Sequence, residues 1–124
     1  MTATLLVTMG DAAGVGPECI VRAFVDGALG DAVVLGDVGV MRRAAALMPS
    51  PPIVARIDHP ADLSSVPPGC LPVIEPAGLP AALGALRWGR VDPAAGAAAA
   101  RCIEHAVAAV LNGDGAAIVT APIH

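Results

Sequence analysis

Lysine and tyrosine are absent from this 124-residue chain, and phenylalanine and tryptophan occur once each. The missing lysine excludes Schiff-base chemistry within these residues and a Walker-type phosphate loop, whose glycines must be followed by a lysine. Seven basic residues, all arginine, face eleven acidic ones for a net charge of -4. With neither a basic patch nor aromatic platforms, a nucleic-acid surface is excluded. Cysteine is sparse too: Cys19, Cys70 and Cys102 are odd in number and widely spaced, so the sequence supports neither a disulfide framework nor a CxxC metal site. A reducing, cytoplasmic setting is the expectation, and no secretory signal is legible at the N-terminus. No uninterrupted apolar run reaches the ~20 residues of a bilayer span, so no membrane partner is expected.

What is abundant is small and aliphatic: hydrophobic residues make up 56% of the chain. The length suits one domain with one core. A core with so few rings must be built from Ala, Val, Leu and Ile.

Along the chain, residues 4–9 (TLLVTM) read as a strand buried on both faces. Between Pro17 and Ala28 the apolar positions Ile20, Val21, Phe24 and Val25 recur at helical spacing, with Glu18 one turn before Arg22. A second buried strand (32–36) leads to Asp37 as N-cap of a helix through Met48, which Pro49 stops. Nine of the twelve prolines fall between positions 49 and 80, leaving an irregular middle with short strands at 53–57 and 71–75. Asp92 and Pro93 then open a long helix predicted to bury Ala99, Cys102, Ile103, Ala106, Val107 and Val110, and Asn112-Gly113 ends it. Residues 116–120 (AAIVT) are predicted to be a last buried strand. Alternating strands and helices with unbroken aliphatic strands specify an α/β unit, a mostly parallel sheet with helices on both faces.

Two loops leave the carboxyl ends of predicted strands, "MGDAAGVG" at the start and "TAPIH" at the end. Ligands of open parallel sheets bind at that edge. If the two strands are parallel, Asp11, Gly14, Gly16, Thr120 and His124 converge there. The spacing Gly10-x-x-x-Gly14-x-Gly16 is the reverse of the dinucleotide fingerprint. Two readings of the loop stay open: glycines that admit a ligand close to the backbone beside a helix N-terminus, or glycines that only turn the chain. Asp11 likewise either orients a substrate group or satisfies the turn by accepting from the backbone two residues on. Glu18 reads as a first-turn helix acid, His59 as a loop residue, His105 as a solvated helix residue and Trp88 as a packing anchor. No two histidines share a helical face, so no metal pair is expected.

"TMGDAAGVGPE", "GRVDPAAG" and "AAIVTAPIH", in this order and spacing, resemble the PdxA family of 4-hydroxythreonine-4-phosphate dehydrogenases. The resemblance covers essentially the whole chain but only the beginning of the family's sequence, so residues 1–124 are expected to be an N-terminal segment, one α/β unit of a two-domain fold like that of isocitrate and isopropylmalate dehydrogenases. It implies NAD- or NADP-dependent oxidation of the secondary alcohol of a small phosphorylated hydroxy acid, in a homodimer, assisted by a divalent metal such as Zn, Mg or Co. The family's metal-binding histidines, substrate-binding His-Thr pair and lysine would lie beyond position 124, leaving no catalytic or metal-binding residue here. Ala12 stands where many members carry proline, which resembles the branch that oxidises 4-phospho-D-threonate or 4-phospho-D-erythronate rather than the pyridoxal branch acting on 4-phosphooxy-L-threonine. A non-catalytic anion- or nucleotide-binding module and an inactive structural fragment are the alternatives.

Overall fold

A computed structural model describes residues 3–124. Its elements are β1 (Leu5–Thr8), α1 (Gly16–Val25), β2 (Ala32–Leu35), α2 (Val38–Ala45), β3 (Ile53–Ile57), a 3-10 turn (Pro60–Ser65), β4 (Cys70–Ile74), a second 3-10 turn (Leu83–Ala85), α3 (Pro93–Leu111) and β5 (Ala117–Thr120). The strands form one parallel sheet in the order β3-β4-β2-β1-β5. From β1 the chain steps through β2 to β3 in one direction, and from β4 it returns past β2 and β1 to β5. Right-handed crossovers then place α1 and α2 on one face and α3 on the other. The packing agrees, with α1 against α2 and α3 against β1, β2 and β5.

The aliphatic runs form the core because each central strand is covered twice. Leu6, Val33, Val34, Leu35, Leu71 and Val73 are wholly buried. Each such side chain contributes about 1.5–3 kcal/mol relative to exposure. Local chemistry sets the helix starts: the Asp37 carboxylate accepts from Val40 N at 2.8 Å and that of Asp92 from Ala94 N at 2.8 Å. Glu18 and Arg22 pair at 3.2 Å across one turn of α1.

Two expectations about these elements are corrected. β5 forms where predicted but is not buried. It lies at a sheet edge with Val119 48% exposed, because no element among the described residues covers its outer side. The buried stripe of α3 is Ala95, Ala98, Ala99, Cys102 and Ala106, while Ile103 is half-buried and Val107 exposed. Large strand aliphatics fill the layer beneath α3 and leave room for small residues only. α3 has the length and apolarity of a membrane span, yet this alanine face covers the sheet. In the proline-rich middle, β4 carries Pro72 although it is not an edge strand. Its ladder with β2 begins only at Val73, opposite Val34, so the missing N–H falls outside that pairing.

Cys102 is buried, and desolvation, helped by the nearby charge of Asp37 and weakly by Glu75 against the opposing Arg101, pushes its thiol up to about 12 from 9.0. The folded state holds the proton that the unfolded chain releases above pH 9. The contribution of Cys102 to stability is therefore expected to be fully present below pH 9 and to be lost, by at most about 1.4 kcal/mol per pH unit, as pH rises from there toward 12. Urea unfolding across that window checks this, and Cys102→Ala should remove the cysteine's share of the slope.

Candidate functional site

β1 and β5 are adjacent and parallel, with Thr8 opposite Thr120, so the two predicted loops do leave the same edge of the sheet. They also touch. Asp11 N donates to the Pro122 carbonyl at 3.0 Å, and Ala121 N to the Thr8 carbonyl at 3.2 Å. A methyl group at Gly10 would fall on the Pro122 carbonyl oxygen, and one at Gly16 would lie 2.5 Å from the Met9 carbonyl oxygen and 2.9 Å from the Ala121 Cβ. Gly10 also has φ +71°, where a Cβ is strained. These two glycines let two stretches of backbone close on one another, and protein already occupies the space a ligand would need.

The start of α1 is equally unsuited to an anion. Pro17 in its first turn has no N–H to offer, and the carboxylate of Glu18 already stands in that turn. Asp11 serves its own turn, accepting from Ala13 N at 2.9 Å while its carbonyl accepts from Gly14 N at 3.0 Å.

Of the five predicted site residues, Asp11 and His124 come together in a crevice of about 20 Å³ that Asp92, capping α3, also lines. That is room for about one water, and the two carboxylates favour a hydroxyl or a cation there over a phosphate. Gly14 lines a different and larger cleft. Gly16 is buried against Met9, and Thr120 is exposed at the end of β5. Thr8, its partner in register, is 1% exposed, and its hydroxyl has no hydrogen-bond partner among the described residues.

The larger cleft, about 320 Å³, lies between the 12–18 loop, α2 and Trp88. Trp88 is not the buried anchor that its size suggested. It is 49% exposed, and the Arg43 guanidinium lies over its ring, 3.9 Å from the centroid. A second polar cleft of about 330 Å³ opens between the ends of β2 and β4, beside Asp37, Arg56 and Glu75. Crossovers from these neighbouring strands go to opposite faces, the arrangement that leaves a crevice. Glu75 caps α2 from outside, accepting from Val38 N at 2.9 Å.

Sequence reasoning missed Arg43 and Glu75, whose partners are distant in the chain. His59 fits its loop reading and does more: Nδ1 accepts from Ala61 N at 3.0 Å, so Nε2 faces Asp114, 3.4 Å away. Among the described residues, no group of three His, Cys, Asp or Glu side chains is placed to share a metal ion.

This fold and sequence match known proteins throughout. The chain is 42% identical to the D-threonate 4-phosphate dehydrogenase of Pectobacterium atrosepticum, covering 100% of itself and 38% of that protein. It is 37% identical to the 4-hydroxythreonine-4-phosphate dehydrogenase of Trichlorobacter lovleyi, covering 96% of itself and 36% of that protein. A crystal structure of 4-hydroxythreonine-4-phosphate dehydrogenase from Klebsiella pneumoniae superposes with a TM-score of 0.86 at 41% identity, over 100% of this chain and 38% of that one. The chain thus spans little more than a third of the length of these relatives. The family model of the pyridoxal phosphate biosynthetic protein PdxA matches residues 28–124, and the chain belongs to the PdxA family.

Proposed function

We propose that these residues build one wall of the cleft of a dehydrogenase that oxidises the secondary alcohol of a small phosphorylated hydroxy acid, with NAD or NADP as hydride acceptor. The clefts that open beside the β1–α1 loop and beyond the ends of β2 and β4, at the carboxyl edge of a parallel sheet, carry the reading, since that is where such sheets take their ligands. The names of the relatives agree with it.

The nicotinamide cofactor supplies the hydride acceptor when bound. This chain's part is binding and orientation. The half-exposed Trp88 and the apolar cleft beside Gly14 fit a flat ring, and Asp11 lines the crevice beside His124. A divalent metal does not fit the described residues alone, because no three ligands meet, and no step is derived through one. Metal ligands and a homodimeric partner are proposed to lie outside these residues. By themselves they are proposed to bind ligand without turning it over, in the cytoplasm.

Within the family we assign the chain to the 4-phospho-D-threonate branch. Ala12 is buried at 2% exposure where many members carry proline, and the Pectobacterium relative named for D-threonate 4-phosphate is the more similar of the two curated relatives described above.

The test is NADH formation by a polypeptide of the relatives' full length that carries these 124 residues. With 4-phospho-D-threonate or 4-phospho-D-erythronate, kcat/KM is expected to exceed that with 4-phosphooxy-L-threonine at least about tenfold, a difference of ~1.4 kcal/mol in transition-state binding. Equal or reversed preference overturns the branch. No NADH or NADPH formed from any of the three overturns the dehydrogenase reading.

A further inference from the structure

Residues 76–91 connect β4 to α3 with only one 3-10 turn of regular structure. A connection this long inside a compact unit needs anchors or a function. Here the anchors are specific. Leu83, 1% exposed, plugs the core next to α2. A methyl group at Gly84 would lie 3.2 Å from the Gly39 carbonyl carbon, so this turn sits tightly on the start of α2. Arg43, from α2, donates through Nη1 to the carbonyl oxygens of Gly84, at 2.9 Å, and Leu86. The same guanidinium covers the Trp88 ring. Gly89 N then donates to the Ala13 carbonyl at 2.8 Å, closing the segment onto the 12–18 loop. One side chain and one backbone bond thus hold the indole at the mouth of the 320 Å³ cleft.

We infer that Arg43 is a positioning residue that fixes Trp88 as one wall of a subsite for the planar, uncharged heteroaromatic ring of a nucleotide. This rests on the dinucleotide-dependent dehydrogenase reading and places one ring of that cofactor. Three observations carry it. Gly14, Val15, Val40, Ala44 and Leu47 present apolar or small surface opposite a half-exposed indole, which suits stacking. About 320 Å³ lies at the low end for ligand pockets, enough for a ring and part of its sugar and too little for a whole dinucleotide. The charged lining group is the Glu18 carboxylate, paired with Arg22, so the lining presents no net positive charge to a phosphate, and the ring enters while the phosphates stay outside. Arginine suits this task because one guanidinium nitrogen serves two carbonyls while the guanidinium plane stacks on an aromatic face; lysine has the donors but lacks the plane.

Trp88 is the sole tryptophan and reports on its own site. The 124-residue chain is titrated with NAD, following tryptophan emission and binding heat in parallel, with AMP, nicotinamide mononucleotide and inorganic phosphate as further arms. Saturable quenching by NAD and by one of the two mononucleotides, but not by phosphate, is expected. Arg43→Met should weaken NAD binding at least about tenfold, with Arg43→Lys in between, both with wild-type circular dichroism. Leu47→Glu, a surface change at the cleft rim that leaves the Arg43 contacts alone, should weaken binding about fivefold and keeps the test decisive if an Arg43 variant fails to fold. Binding heat with unmoved Trp88 emission, quenching by phosphate equal to that by NAD, or folded variants that bind like the parent overturn the subsite and leave the dehydrogenase reading standing. Absence of both heat and quenching with NAD overturns the subsite together with cofactor binding by these residues.

Discussion

Replacing Gly10 with alanine is expected to destabilise the protein by about 2–5 kcal/mol, combining ~1–2 kcal/mol of left-handed backbone strain with ~1–3 kcal/mol of overpacking. Both causes are visible at one residue: φ is +71°, and the new methyl group would land on the Pro122 carbonyl. Two other glycines separate them. Gly113 has φ +84° and nothing within 4 Å of a built Cβ, so Gly113→Ala should show the strain alone, about 1–2 kcal/mol. Gly16 has an ordinary φ but 2.5 Å to the Met9 carbonyl oxygen, so Gly16→Ala should show the steric part alone, about 1–3 kcal/mol. Urea midpoints at constant m decide it. If Gly10→Ala costs no more than Gly113→Ala, the close approach of the β1 loop to the β5 tail does not constrain the fold. The gap would then be free to admit a ligand, as the other reading of this loop requires.

That outcome bears on why the loop could not be settled from sequence. Glycine spacing says that something comes close to the backbone and is silent about whether it is a phosphate or another strand of the same chain. Contacts spanning more than a hundred positions, the Asp11–Pro122 and Ala121–Thr8 hydrogen bonds, identify the occupant. Features whose partners lie within four residues were legible: the caps at Asp37 and Asp92, the Glu18–Arg22 pair, and the turn made by Asp11. The shared edge of β1 and β5 was legible as well, because unbroken aliphatic strands separated by helices imply a parallel sheet. The exposure of β5 was not. An apolar strand reads as buried from composition whether or not anything covers it, and Ile118 and Val119 look the same in sequence at an edge as at a centre. Arg43 and Glu75 were hidden for the same reason that they matter. Each ties its own element to one that lies 37 to 43 positions away, and no local pattern marks such a pairing.

Leu83→Ala is the second large effect, and it joins the fold to the proposed site. Leu83 is 1% exposed, and truncating a buried leucine removes about 2–5 kcal/mol. How much of this appears as global stability depends on what the residue holds. The 76–91 connection contributes no strand to the sheet, so once its plug is gone it can open while the five strands stay paired, a local unfolding with its own free energy. Global stability is therefore expected to fall toward the lower part of that range. Amide protection across residues 83–89 should fall by at least ~10²-fold, and Trp88 emission should shift to the red as the indole leaves Arg43. If the segment is only a linker, cleft ligands will bind the variant as they bind the parent. If it is the wall of a ring subsite, NAD affinity falls together with protection, and it does so without any change to a residue that lines the cleft. A variant with parental amide protection and parental Trp88 emission would show that the wall is held by Arg43 and the Gly89–Ala13 bond alone, and that Leu83 merely fills space beneath it.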